Sequence, residues 1–277
     1  MSFDRYRVQS EVEADIGCID LSKWDSYLQK FKDYEVNQNR RDRLISSLKM
    51  DAADIYFKAI FSLSDAINSL YHGRHSWAVI KLYYSVFFLL RCYLATDNVA
   101  FIKNKGIYTL RLSKGEKPQR RDGGKYLGES VSGDHKTTIV TFLSLFSDSD
   151  ILLSNSINNK SVYEWLMELR NQVNYRERVF TEPDNKYFFP SLFEKKLLKT
   201  QVEKYMKDEI YVYCFDEDHC ALAMPLKLAS IVRQRLFTYI DFEPISSAKR
   251  LEIQKMLSET GLSNSDMFSM LYEFGRE

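Results

Sequence analysis

SWAVIKLYYSVFFLLRCYLA, residues 76–95, is the most apolar stretch of the chain. On a 3.6-residue helix its apolar side chains fall on nearly every side, the pattern of a helix enclosed by other helices. Lys81, Ser85 and Arg91 interrupt it, and the charge-free run that remains is too short to cross a bilayer. The segment therefore reads as a core helix of a protein with no membrane partner. Ser76 is well placed as its N-cap. Tyr83 and Tyr84 point to different sides of the helix and read as core aromatics. Lys81 and Arg91 are tolerated in such a helix only near its ends, by snorkelling, or with partners.

Upstream, residues 51–71 place Tyr56, Ala59, Ile60, Leu63, Ile67 and Leu70 on one stripe. Asp54, Lys58, Ser62, Asp65 and Ser69 fall opposite. Gly73 follows as a left-handed cap. The two segments predict a helical hairpin over 51–96. Residues 1–49 are polar and charged, with two short helices predicted at 22–34 and 41–48, an N-terminal arm. The opening MSFDRYRVQSEVEADIG is charged and has no apolar leader, which predicts a cytoplasmic protein. With 10 Gly and 5 Pro in 277 residues, long helices are favoured over many short strands. The net charge of +1 means that any anionic partner is held by a local patch.

Such a patch lies in residues 97–133, which break the helical pattern. Between 103 and 125 stand Lys103, Lys105, Arg111, Lys114, Lys117, Arg120, Arg121 and Lys125, with only Glu116 and Asp122 among them, a net +6. IYTLRL reads as a strand of a hairpin and the rest as an exposed loop. A basic loop of this length reads either as a surface for the RNA or DNA backbone, with little sequence preference, or as a solvated loop. Tyr108 and Tyr126 are the only aromatics between residues 103 and 126, so base stacking is a minor element.

Farther on, a helix is predicted at 135–146. A second starts at a capping box of Ser161 and Glu164 and continues as VYEWLMELRNQVNYR. Val162, Trp165, Leu166, Leu169 and Val173 form its buried face, with Tyr163, Met167, Arg170 and Asn174 alongside. Arg170 and Asn174 fall one turn apart. Beyond Pro183 a helix is predicted at 196–207, a short strand at EIYVYCF (209–215), a long helix at 221–239, and two short ones at 248–259 and 265–274. The fold class is mainly α. An arm at 1–49 precedes a bundle at 50–180 that carries the basic insertion 97–133, and an α-rich extension occupies 181–277.

The phrase at 76–95, with Tyr83–Tyr84 followed by an aromatic and aliphatic run, resembles the helix of HEPN domains that carries a Tyr-Tyr pair. ELRNQVNYR, residues 168–176, resembles the segment that holds the family's Arg-polar motif. Arg170 matches the family arginine, and Asn171 the polar residue that often follows it. The resemblance covers about residues 50–180. It implies a small helical bundle that dimerises. Many HEPN proteins are metal-independent ribonucleases of toxin–antitoxin, CRISPR-associated and antiviral systems; others are non-catalytic. In catalytic members a histidine follows the arginine by about four to six residues. Such a histidine moves a proton near neutral pH, and the arginine neutralises charge growing on phosphate. Here Tyr175 stands in that interval, and none of His72, His75, His135 and His219 follows an arginine at that spacing.

The resemblance implies a polar site of Arg170, Asn171, Asn174 and Tyr175. Arg170 would meet phosphate, the two asparagines would orient it or the substrate, and Tyr175 would donate a hydrogen bond. The residues alone leave a second reading open, in which Arg170 is a structural ion-pair residue of a non-catalytic scaffold that holds a partner protein. No cofactor is predicted, because no P-loop, dinucleotide fingerprint or nucleophile elbow is present. No metal is predicted either. Cys214, His219 and Cys220 do not form a zinc pattern, and His72 and His75 read as a surface turn.

Overall fold

The computed structural model describes residues 5–18, 20–182, 184 and 186–275 of the chain. Residues 1–4, which open the expected arm, and Pro183 lie outside the described residues. The architecture is mainly α, as the sequence predicts, with ten α-helices and two small sheets among the described residues. In chain order these are α1 (Arg7–Asp15), α2 (Trp24–Lys32), α3 (Gln38–Tyr71), α4 (His75–Thr96), β1 (Val99–Lys103), β2 (Ile107–Arg111), β3 (Gln119–Arg120), β4 (Lys125–Tyr126), β5 (Glu129–Ser130) and α5 (Gly133–Phe146). After them come α6 (Val162–Asn171), α7 (Lys195–Lys207), α8 (Glu217–Tyr239), α9 (Ser247–Leu257) and α10 (Asp266–Ser269). The chain divides into two compact units, each made of two stretches of sequence: Met1–Asp54 with Leu90–Leu145, and Ile55–Leu89 with Phe146–Glu277.

The helices expected separately at 41–48 and 51–71 are one helix, α3, of 34 residues. No Gly or Pro lies between Gln38 and Tyr71, so nothing stops the helix at residue 49. Gly73, at φ +72°, ends it as expected, with Gly73 N–H donating to Leu70 O at 2.9 Å and Arg74 N–H to Ser69 O at 2.8 Å. Ser76 lies one residue inside α4 rather than at its cap. Its N–H and Oγ both donate to the Glu182 carboxylate at 2.8 Å. A carboxylate distant in sequence thus occupies the positive end of the helix, where a local serine cap was the expectation.

In the first unit, β1, β2 and β3 form an antiparallel sheet, with Val99 opposite Arg111 and Thr109 opposite Gln119. Helix α1 has no counterpart in the sequence reading. Its start is capped by Asp51 of α3, which accepts from Arg7 N–H at 2.8 Å and Val8 N–H at 3.0 Å. Gln9 covers the free edge of β1: it accepts from Lys103 N–H at 2.7 Å and donates to Lys103 O at 3.1 Å. Arg91 is buried and donates to Asp134 at 2.6 Å and Thr138 at 3.1 Å, with its guanidinium 4.2 Å from the Phe101 ring. It belongs to the partnered class of core cations.

In the second unit, Lys81 joins α4 to α3 through Asp65 at 2.9 Å and Ser69 at 2.8 Å. Tyr56, fully buried, donates to Leu271 O at 2.7 Å and packs its ring on Phe274. EIYVYCF is not a strand. Asp208 accepts from Ile210 N–H at 3.3 Å and Tyr213 N–H at 3.1 Å, and this curls the segment into a 3-10 turn at Val212–Cys214. Helix α4 alone among the described residues is long and apolar enough to cross a membrane, and 83% of its apolar window is buried within the protein.

Leu82, fully buried on α4, tests this packing. Leu82→Ala should lower stability by about 2–5 kcal/mol, read from urea denaturation. A loss below about 1 kcal/mol would contradict an enclosed α4.

Candidate functional site

The site around Arg170 lies in the second unit and is assembled by α6 and α4. Helix α6 begins at the capping box the sequence predicts. Ser161 Oγ accepts from Glu164 N–H at 3.3 Å, and Glu164 accepts from Ser161 N–H at 3.3 Å. That cap fixes the register and so the direction of each side chain. The buried face comprises Val162, Tyr163, Trp165, Leu166 and Arg170, whereas Leu169 is only half-buried. Arg170 thus belongs to the inward face, where the sequence places it beside that face.

Arg170 is only 6% exposed. Its Nη1 donates to Asn171 Oδ1 at 2.8 Å, and its Nη2 reaches the Tyr84 hydroxyl at 3.3 Å. The guanidinium carbon lies 5.1 Å from the Tyr83 ring centre, 5.6 Å from Tyr84 and 5.1 Å from Tyr175. Three aromatic faces supply the partial negative charge that a carboxylate would otherwise supply. Nε is buried and bonds to nothing among the described residues. No carboxylate pairs with Arg170 there either. Nearby acids are engaged elsewhere: Glu168 with Lys160 and Arg176, Glu177 with Lys186 at 2.8 Å and Gln172 at 2.9 Å. The bonds from Lys186 and Gln172 hold the Glu177 carboxyl below the usual glutamate range.

After α6 the chain widens into a π-helical turn at Gln172–Arg176, closed by Glu177 N–H donating to Gln172 O at 2.9 Å. The sequence predicts Arg170 and Asn174 as neighbours one α-turn apart. In the wider turn Tyr175 takes the place over the guanidinium, and Asn174, half-buried, makes no bond to it. Tyr175 is itself 68% exposed. Of the four predicted residues the structure brings together Arg170, Asn171 and Tyr175. It adds Tyr83 and Tyr84, which the sequence reading assigns to the core. Tyr83 is buried, but Tyr84 lies half-open on the stripe of Trp77, Lys81, Tyr84 and Phe88. That stripe, with a charge and an aromatic at helical spacing, is the signal that could have found it.

The basic segment belongs to the first unit, and its cations are less free than their sequence spacing predicts. Glu116 and Asp122 are not the only acids near it. Lys103 pairs with Asp134, Lys105 with Asp25, Arg111 with Asp97 at 3.2 Å, Lys117 with Glu35 at 3.8 Å and Arg120 with Asp122 at 3.0 Å. Lys114 and Lys125 are exposed and make no ion pair among the described residues. Arg121 is half-buried and donates to Thr109 and Gln119. The expected exposed loop is largely a folded hairpin surface, because β3 and the β4–β5 pair organise it. Tyr108 is buried against Phe31, with ring centres 5.0 Å apart, so it offers no face to a base.

Among the described residues no three His, Cys, Asp or Glu side chains cluster as metal ligands. Burial pushes the Cys214 thiol up to about 12 and raises Cys220 as well, which makes both poor nucleophiles. His75 is buried against Phe193, and that burial lowers its pKa.

The sequence matches no family model, and no curated protein or solved structure matches it.

A buried cation with no acid contributes little to stability, whereas breaking a buried ion pair costs about 3–5 kcal/mol. Arg170→Met should therefore change the unfolding free energy by no more than about 1 kcal/mol, measured by urea titration. A loss of ion-pair size would show that Arg170 is a structural tie.

Proposed function

We propose that this chain is a HEPN-like protein that binds RNA, with Arg170 receiving a backbone phosphate. One observation carries the reading: a buried guanidinium, held by tyrosines and Asn171, faces no carboxylate among the described residues. A cation in that setting is best stabilised by an anion from outside, and a phosphate diester matches its planar donor fork. Asn171 orients the guanidinium. Tyr175, exposed at the rim, donates a hydrogen bond to the bound strand, and Asn174 lies on the same turn to orient it. The cations of the basic segment that no acid pairs among the described residues, Lys114, Arg121 and Lys125, add sequence-independent affinity.

Binding is favoured over cleavage. Tyr175 stands where catalytic HEPN members carry histidine, so that position lacks the imidazole that moves a proton near neutral pH. The setting implied by the resemblance is a cytoplasmic component of a microbial antiviral defence or toxin–antitoxin system. In this reading two copies pair through the helix that carries Arg170. A non-catalytic scaffold that binds a partner protein is the second reading, and an exposed apolar cluster favours it. Trp77 and Phe180 have ring centres 5.4 Å apart and both are exposed, as are Tyr175 and Val179.

Fluorescence anisotropy with a labelled single-stranded RNA tests the first reading. The protein should bind at low salt and lose affinity as salt rises, and Arg170→Ala should weaken binding by about tenfold or more, or about 1.4 kcal/mol. No binding at low salt would remove the RNA reading. Cleavage that survives chelator and disappears in Arg170→Ala would place chemistry at this site instead. Light scattering should return twice the chain mass across a concentration series, whereas a strict monomer contradicts the paired arrangement.

A further inference from the structure

The eight cations of the basic segment are not equivalent. Five face carboxylates, and Lys114 and Lys125 are exposed on the surface. Arg121 differs from all of them. It is half-buried, and both of its side-chain partners are neutral: Nε donates to Thr109 Oγ1 at 2.7 Å and Nη2 to Gln119 Oε1 at 3.0 Å. Thr109 and Gln119 are paired across β2 and β3, so the Arg121 side chain is clamped at a fixed place on the sheet. Its backbone is fixed too, with Arg121 N–H donating to Ile107 O at 2.8 Å.

We infer that Arg121, with Arg111 beside it, forms a seat for one phosphate group on the β1–β2–β3 sheet. Successive residues of a strand alternate faces, so Thr109 and Arg111 share one. A guanidinium bonded to Thr109 is thereby directed along the face that Arg111 occupies. Arg111 makes one bond to Asp97 at 3.2 Å, and the rest of its fork has no partner among the described residues. An arginine carries five N–H donors, and the two used by Arg121 leave the others for a ligand. Burial first, and then the like charge of Arg111, hold the Arg121 pKa below the ordinary arginine value. Among the described residues no acid pairs with Arg121. An oxyanion on this face meets the unpaired charge of Arg121 and the open side of the Arg111 fork that Asp97 leaves, and a tetrahedral phosphate offers oxygens to both.

This inference deepens the RNA reading and rests on it for the source of the phosphate. It also separates Arg121 from its neighbour Arg120, whose charge Asp122 already cancels at 3.0 Å. Two arms test it, using the full chain, with circular dichroism confirming that each variant folds. In the first arm, labelled single-stranded RNA is titrated at several salt concentrations. Arg121→Gln should lose about tenfold in affinity and reduce the salt slope by about one, while Arg120→Gln stays within about twofold of the parent. Arg121→Lys keeps the charge and loses the fork, and it should bind more weakly than the parent. Equal losses in Arg120→Gln and Arg121→Gln would overturn the seat and leave RNA binding standing.

In the second arm, inorganic pyrophosphate is added during thermal unfolding. It should raise the midpoint of the parent and of Arg120→Gln, but not that of Arg121→Gln. If the parent binds no RNA, the RNA reading falls and pyrophosphate alone judges the seat. A rise that Arg121→Gln abolishes upholds it. No rise in the parent, or an equal rise in both, overturns it.

Discussion

A positive charge removed from water must be matched by something, and in this protein two arginines meet that requirement in different ways. Arg91 has a carboxylate, Asp134, at 2.6 Å, with a threonine and a phenylalanine ring completing its surroundings. Arg170, equally buried, has three tyrosine rings, one amide oxygen and one phenol oxygen. Ring faces and neutral dipoles moderate the cost of burying a guanidinium but do not cancel its charge. The remaining imbalance is what the proposed anion-receiving role of Arg170 rests on. Charges that serve packing alone are normally paired, as Arg91 and Lys81 show.

The fold supplies the conditions for that imbalance. Helix α4 is apolar on nearly all sides, so it provides the low-dielectric wall and carries Tyr83 and Tyr84 at the point where Arg170 reaches it. Helix α6 is set in register by its capping box, which aims Arg170 inward. The π-helical turn that follows brings an exposed aromatic, Tyr175, over the cation where a regular α-turn would bring an asparagine. Wide turns of this kind are costly and recur at functional positions. The acids close by in sequence, Glu168 and Glu177, are drawn off by Lys160 and Lys186. The first unit shows the complementary case. Most of its basic segment is neutralised by acids brought from α2, α5 and the connecting loops, so formal charge overstates the field that a strand of nucleic acid would meet.

Periodicity and local chemistry made much of this legible in advance. The enclosed helix at 76–95, the capping box at Ser161, the glycine cap at Gly73 and the strand at IYTLR all follow from a few adjacent residues. Arg170 is likewise visible as a cation at the edge of an apolar stripe. What escaped the sequence depends on partners far along the chain. Helix α1 is capped by Asp51, and α4 by Glu182. The EIYVYCF segment has strand-like composition, yet Asp208 curls it into a turn. Tyr84 looks like core until the covering of its helix is known. The pairing of Lys105 with Asp25 lies 80 residues apart, beyond any local pattern.

The most direct measurement is the NMR signal of the Arg170 Nε–H group in arginine-labelled protein, assigned by its loss in Arg170→Lys. In the free protein it should behave as a buried donor without a carboxylate partner. A short RNA strand should shift it in step with the fraction bound, as a phosphate bonds the same guanidinium. A signal that stays fixed while the RNA binds elsewhere, or that already carries the signature of a carboxylate partner in the free protein, would contradict the account.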